Sequence, residues 1–396
     1  MKNKTILILL ALALTAATVS TGCGSLGDLF GGKGGKKDSG KAAKEVDERD
    51  TSWYDGKSKE TTFYIANDKQ LGGLAKLTNL KNPVDFEGKT IVLTADIDLA
   101  GTKWRPTGTF KGTFDGKGFS IKNLSVSGYV NAALFGDVEM AQIRNLVLYV
   151  DKIDSKNNAT SSAGGLIGSG IGVTIENCAV IIKDSITANV EKSNMAYAGG
   201  LAGSLDGVPM TPSTINNCYV IGNVNGVATN GNGNSTVGGL VGFIGLSLMR
   251  AVVNVNNCYV VGNITANTVD SNAFAGGLIG GGGIFETNIK NSYASATVTS
   301  NIENTRSGRN TPYLGGIYGR WSSGVNTAAY YNSTKVPTQN MNSGARDSKT
   351  LPTDLIGLTD ADMKKQASFK NFDFTTVWAI DATTNGGYPY LRWQKK

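Results

Sequence analysis

Histidine is absent from all 396 residues, so no imidazole is available as a general base, a proton shuttle or a metal ligand. Cysteine occurs only four times and without the paired spacing of a zinc site, so no zinc centre is expected. Acidic residues are sparse through the middle of the chain, and Asp184, Glu191, Asp206, Asp270 and Glu286 do not recur in register. That pattern argues against the paired carboxylates of glycoside hydrolysis or a Ca²⁺ cage. Asp96 and Asp98 share one side of a strand, but two acids are too few for Ca²⁺, and they read as solvated. No metal or cofactor is expected. A concentrated positive field is missing too. The formal charge of +7 falls to +5 if Lys2 and Lys4 are removed with a signal segment (7 − 2), and it is dispersed without a basic stripe. Nucleic acid is therefore not an expected partner. The recurring Gly-Gly pairs, as at Gly164-Gly165 and Gly199-Gly200, have no Gly-Lys-Ser/Thr following them and are expected to open short strands rather than helices, which argues against a phosphate loop there.

What the chain has is repetition. Ile215-Asn216-Asn217-Cys218-Tyr219-Val220 recurs as Val255-Asn256-Asn257-Cys258-Tyr259-Val260. Ile175-Glu176-Asn177-Cys178-Ala179-Val180 precedes both, so three cysteines fall 40 residues apart. Looser copies centre on Asn123, Asn145 and Asn291. Each copy has an apolar residue two before the Asn and apolar or small residues one and three after it, which unbroken strand alternation would not produce. A bend at the Asn resets the alternation: Ile215 faces in, the chain turns, then Cys218 and Val220 face in while Tyr219 faces out. Asn tolerates the left-handed conformation of a tight bend, and its amide can donate to one copy and accept from another. Asn123, Asn145, Asn177, Asn217, Asn257 and Asn291 are therefore expected to form a structural ladder. Cys178, Cys218 and Cys258 fall in one inward column where one bridge between adjacent rungs is within disulfide reach, but their parallel Cβ directions favour buried free thiols.

A second motif recurs as Gly164-Gly165-Leu166-Ile167-Gly168 and again from Gly199, Gly238, Gly276 and Gly315, with Ala132-Ala133-Leu134-Phe135-Gly136 as a weaker copy. It resembles the GLUG motif, named for glycine, leucine, a hydrophobic residue and glycine, over about residues 86–393. The endings Trp378-Ala379-Ile380 and Asn385-Gly386-Gly387-Tyr388-Pro389-Tyr390-Leu391 resemble the usual close of such chains. Proteins of that family are similar to filamentous adhesins. The resemblance implies an all-β, right-handed parallel β-helix, a solenoid with N- and C-terminal caps containing short helices, on a bacterial cell surface.

Residues 1–22 read as a signal peptide, with Lys2 and Lys4 before an apolar run that is too short for a flanked membrane span. Gly22-Cys23 resembles the processing site of bacterial lipoproteins, with Ser20 where such sites carry Leu. That implies lipid attachment at Cys23 and a membrane-anchored protein, on the outer membrane if the cell is Gram-negative. Residues 23–60 are too poor in apolar side chains to fold and read as a tether. An N-terminal cap is expected over 61–108. It contains a strand through Phe63–Ile65, a helix capped by Asn67 and Gln70, and an alternating strand Ile91–Leu99. Repeats follow over 109–335. A C-terminal cap over 336–396 has a short helix turning Met363 and Ala367 inward.

Tyr219, Tyr259 and Tyr293 each follow an inward residue, so they are expected to point outward on successive rungs about 4.8 Å apart. Such a strip would suit stacking on sugar rings beside the polar insertions that precede each Gly-Gly. The sequence thus favours a monomeric surface binding or adhesion protein, taking a glycan or a partner protein through side loops. A ligand-free scaffold or spacer is the alternative, and a polysaccharide-cleaving enzyme is less favoured.

Overall fold

The computed structural model describes residues 49–157, 160–191, 194–207, 210–229, 233–245, 251–283, 285–304, 312–336 and 354–395. Cys23, the signal peptide and most of the tether lie outside them. So do Val208, Leu246, Leu248, Met249 and Ile284 of the apolar loops at one corner of the repeats. The six repeat asparagines all adopt positive φ, from 48° at Asn291 to 58° at Asn123. This is the left-handed region, which Asn enters at lower cost than other residues bearing a Cβ.

What happens around that bend decides the sheet. Asn177 and Asn291 lie inside unbroken strands, Thr174–Val190 and Phe285–Ile302. Asn217 and Asn257 instead separate Ser213–Asn216 from Tyr219–Ala228 and Ala251–Asn256 from Tyr259–Thr268. The two long strands therefore pair with both halves of their neighbours. Thr174–Val190 pairs with Ser213–Asn216, which continues through Ala251–Asn256 to Phe285–Ile302. The circuit returns through Tyr259–Thr268 and Tyr219–Ala228 to Thr174–Val190, parallel at every step.

The expectation of a right-handed parallel β-helix is corrected here. The pairing closes six strands into a parallel barrel within a 14-stranded sheet, with further parallel sheets of five and six strands beside it. The physical reason is that at Asn177 and Asn291 the left-handed Asn bends the strand without ending it, so both halves of the neighbouring repeats remain in one sheet.

The six-stranded sheet ends its strands on Gly164, Gly199, Gly238, Gly276 and Gly315. After a two-residue corner the five-stranded sheet begins, for example at Ile167, Ala202, Val241 and Ile279. Gly200 is required by close approach: a Cβ there would lie 2.4 Å from the Gly239 carbonyl oxygen and 2.4 Å from Val220 Cγ1. The corner leucines Leu134, Leu166, Leu201, Leu240 and Leu278 are buried beneath it, in one apolar core with Cys178, Cys218 and Cys258. The three thiols are free.

At the N-terminal side, helix Asp68–Thr78 has Asn67 as N-cap, whose side chain accepts from the Gln70 N–H at 2.9 Å. Leu71, Leu74 and Ala75 are buried under it. The single strand expected over Ile91–Leu99 is two, Thr90–Leu93 and Ile97–Asp98. Between them, Asp96 accepts from the Ser120 N–H at 2.8 Å. At the other end, Leu355–Leu358 adds a strand beside Asn326–Asn332. The short helix after it is 3-10, Asp362–Lys364; Met363 is buried, but Ala367 is exposed because the turn does not continue far enough to align the two. Trp378–Ala379 then pairs antiparallel with Tyr390–Leu391.

Candidate functional site

The asparagine side chains form a hydrogen-bonded run on one flank. Asn257 Nδ2 donates to Asn217 Oδ1 at 3.1 Å, Asn217 to Asn177 at 3.2 Å and Asn177 to Asn145 at 3.2 Å. The run ends on a carboxylate, since Asn145 Nδ2 donates to Asp115 Oδ1 at 3.0 Å. Asn123 stands apart and donates to Asp98 at 2.6 Å, and the Asn291 Oδ1 is buried without a partner. Asp98 also accepts from the Ala100 N–H at 2.9 Å, and Asp96 is shared between Ser120 and Lys122. Among the described residues no three of His, Cys, Asp and Glu gather as a metal set.

Tyr219, Tyr259 and Tyr293 stack with centroids 5.0 and 5.2 Å apart and planes 3° from parallel. They point away from the main core, but the expectation of an open sugar-binding strip is corrected. They are only 5%, 0% and 0% exposed. The C-terminal segment lies over them: Trp393 is 5.5 Å from Tyr219, Trp378 is 6.1 and 5.9 Å from Tyr259 and Tyr293, and Phe369 is 5.8 Å from Tyr293. Tyr259 donates its hydroxyl to Gln394 Oε1 at 3.0 Å, and Tyr293 donates to the Pro389 carbonyl. Burial pushes the Tyr219 phenol up to about 12. A continuous outward aromatic column is a large apolar surface, and the aromatic-rich tail of the same chain removes it from water.

The cover stops at Tyr219, and there a cleft of about 790 Å³ opens. Three parts of the chain line it. The ladder face supplies Asn145, Asn177 and Asn217 together with Val147 and Tyr149; the turn at Lys117-Gly118 and the tail residues Thr376, Val377 and Arg392–Gln394 supply the rest. The lysine is presented by a tight turn. Asp115 Oδ1 accepts from the Lys117 N–H at 3.0 Å, Lys117 has φ 53°, and the Gly118 N–H donates to the Asn145 carbonyl at 2.8 Å. Asp115 itself is buried, which pushes its carboxyl up. The bonds from Asn145 and Lys117 and the Arg144 cation at 3.1 Å outweigh that and hold it below the usual range. On the opposite side Trp393 Nε1 donates to the Asn217 carbonyl at 3.0 Å, tying the tail to the ladder across 176 residues of sequence.

The chemistry on offer is polar, aromatic and cationic. Asn145, Asn177 and Asn217 each spend one N–H and one acceptor position on their neighbours and keep a second of each. Tyr149 is 39% exposed, and among the described residues no carboxylate lines the cleft. Of the residues expected from sequence, Asn145, Asn177, Asn217 and Tyr219 reach it, while Tyr259 and Tyr293 are sealed away. Tyr149, Lys117, Arg392, Trp393 and Gln394 were not singled out as site residues. The Asp115-Gly116-Lys117-Gly118 turn was a visible signal, but nothing local marks Arg392 or Trp393.

Comparison with models of known protein families gives no match, and none is found among curated proteins. Among solved structures, the chain is similar to one from Bacteroides ovatus described as a "putative immunoglobulin A1 protease". The TM-score is 0.56 at 20% identity, over 84% of this chain and 92% of that one. At that identity the likeness is one of fold.

Proposed function

We propose that the protein is a binding module of the GLUG type, anchored at a bacterial surface through lipid on Cys23, which takes a saccharide in the cleft beside Tyr219. The observation that carries this is the lining itself. Spare amide donors and acceptors from Asn145, Asn177 and Asn217 lie beside Tyr149 and the Tyr219–Trp393 pair. Sugar rings need this combination, a flat apolar face for their C–H side and directed hydrogen bonds for their hydroxyls.

The description of the Bacteroides ovatus protein brings in peptide cleavage as a second reading. The chain's own chemistry supports it poorly. No His exists to activate a Ser or Cys, Cys178, Cys218 and Cys258 are buried in the core, and among the described residues no Ser, Cys, Asp or Glu lines the cleft.

The test is to apply the full-length protein to immobilised glycans and to extracellular proteins, immunoglobulin A1 included, alongside Tyr149→Ser. Capture on glycans is expected, weakened about fivefold in Tyr149→Ser, the loss of one aromatic contact of ~1 kcal/mol. Capture by proteins alone, or cleavage of immunoglobulin A1, would overturn the saccharide reading.

A further inference from the structure

Lys117 and Arg392 come from opposite ends of the repeat array and meet at the same cleft. We infer that the saccharide held there is anionic, a chain carrying carboxylate or sulfate groups; the inference rests on the saccharide reading given above. Three observations carry it.

The first is charge balance. Asp115 is the acid nearest Lys117 Nζ, at 3.5 Å, but its single charge is already shared with Arg144 at 3.1 Å, and its other oxygen accepts from Asn145 and the Lys117 N–H. Two cations against one buried carboxylate leave a net positive charge on this side. Lys117 is the more exposed of the two, with its ammonium donors free to turn toward a ligand.

The second is Arg392. Its Nη2 donates to the neutral Phe374 carbonyl at 2.7 Å, which fixes the guanidinium while leaving its other N–H groups. Asp373 is occupied by the Thr376 hydroxyl and by the N–H groups of Thr376 and Thr375 rather than by a direct bond to the guanidinium; those bonds first, and then the Arg392 charge, lower its carboxyl. A planar guanidinium held by one edge is suited to a carboxylate or sulfate on the other.

The third is the ladder. Asn145, Asn177 and Asn217 set neutral donors at one-rung intervals between the two cations. Hydroxyls and ring oxygens of a saccharide extended along the cleft would be met there, while the anionic groups fall to Lys117 and Arg392.

The experiment measures affinity of the full-length protein by titration calorimetry for four probes: an oligogalacturonate, its methyl ester, a sulfated oligosaccharide and a neutral cello-oligosaccharide. Either or both acidic probes are expected to bind about tenfold or more tighter than the methyl ester. Which of them binds identifies carboxylate or sulfate as the source. Raising NaCl from about 50 to about 300 mM should weaken the acidic probe, because exposed charges are screened over a shorter length. Lys117→Gln and Arg392→Gln should each weaken it several-fold with unchanged circular dichroism, while Lys183→Gln, outside the cleft, should not. Affinity for both acidic probes no greater than for the methyl ester overturns the inference and leaves the saccharide reading standing. Binding to none of the four overturns both.

Discussion

Asn257 carries the repeat's bend at φ 52°, donates its amide to Asn217, and gives its backbone N–H to the Lys290 carbonyl at 3.0 Å. Alanine there would keep the backbone bond but place a Cβ in the left-handed region and leave Asn217 short of a donor. The two costs are about 1–2 and about 1 kcal/mol, so Asn257→Ala should destabilise by about 2–3 kcal/mol in urea unfolding. Asn257→Gly retains only the second cost and should lose about 1 kcal/mol; equal losses would mean that the backbone conformation is not the reason for the residue. Cysteine one position later behaves differently. Cys218 donates its thiol to the Asn216 carbonyl, and Ser292 makes the equivalent bond to Lys290 at 2.8 Å, so the column already accepts a hydroxyl. Burial raises the Cys218 thiol well above its ordinary value. Cys178, Cys218 and Cys258 should therefore resist an aromatic disulfide reagent in the native protein and react on unfolding. Rapid native labelling would contradict this packing.

The element whose placement matters most is the tail, from the 3-10 turn at Asp362–Lys364 to the one at Arg392–Lys395. Asp360 latches its near end: Tyr388 donates to its Oδ1, Asn332 donates at 2.7 Å, and Lys364 lies 2.9 Å from Oδ2. The Tyr388 bond first, then Lys364, lowers its carboxyl to about 2. A folded-state value below the unfolded one gives stability that is present above the unfolded value and is lost as pH falls through the folded one. The latch should therefore weaken between about pH 4 and about pH 2. Asp360→Asn should flatten the stability profile across that window, measured by urea midpoints, and an unchanged slope would remove Asp360 as its source. Trp378 fills the centre of the cover, 0% exposed and 4.6 Å from Phe372. Trp378→Ala should cost about 3–5 kcal/mol and increase binding of an apolar dye, as the tyrosine stack is uncovered. Trp378→Phe should cost less, because the indole N–H has no partner to lose.

At the scale of the whole molecule, the repeats approach one another so closely that the second glycine of each Gly-Gly pair admits no side chain. A Cβ on Gly239 would lie 2.2 Å from the Gly277 carbonyl oxygen and 2.6 Å from Val260 Cγ1. Gly239→Ala should cost about 3 kcal/mol or more, since no rotamer change can relieve a clash with backbone. Wild-type thermal stability in that variant would mean that the corners can spread. The anchor proposed at Cys23 would act on the whole chain. Cys23→Ser is expected to move the protein from the membrane to the soluble fraction of its own cell, and a wild type already soluble and unacylated would refute the anchor.

The repeat spacing, the bend at each Asn and the inward thiols were legible in the sequence because each is a local rule. A left-handed bend selects Asn, and side-chain alternation restarts on its far side. The reason for the Gly-Gly pairs was not legible, since close approach to the next repeat depends on which corners stack. Sheet closure was missed because it turns on whether a strand continues its hydrogen bonds through the Asn, as at Asn177, or stops, as at Asn217. That is a matter of the neighbouring strand. Sequence also placed Tyr219, Tyr259 and Tyr293 on the side away from the core, correctly, and could not show that the tail would cover them. Periodicity tells which face of a strand a side chain takes, whereas the folding of Trp378 and Trp393 back over Tyr259 and Tyr219 is a long-range choice. It is driven by the area those rings remove from water. The same choice made the cleft, because the cover ends where the tyrosines end and leaves Arg392 facing the flank that carries Lys117.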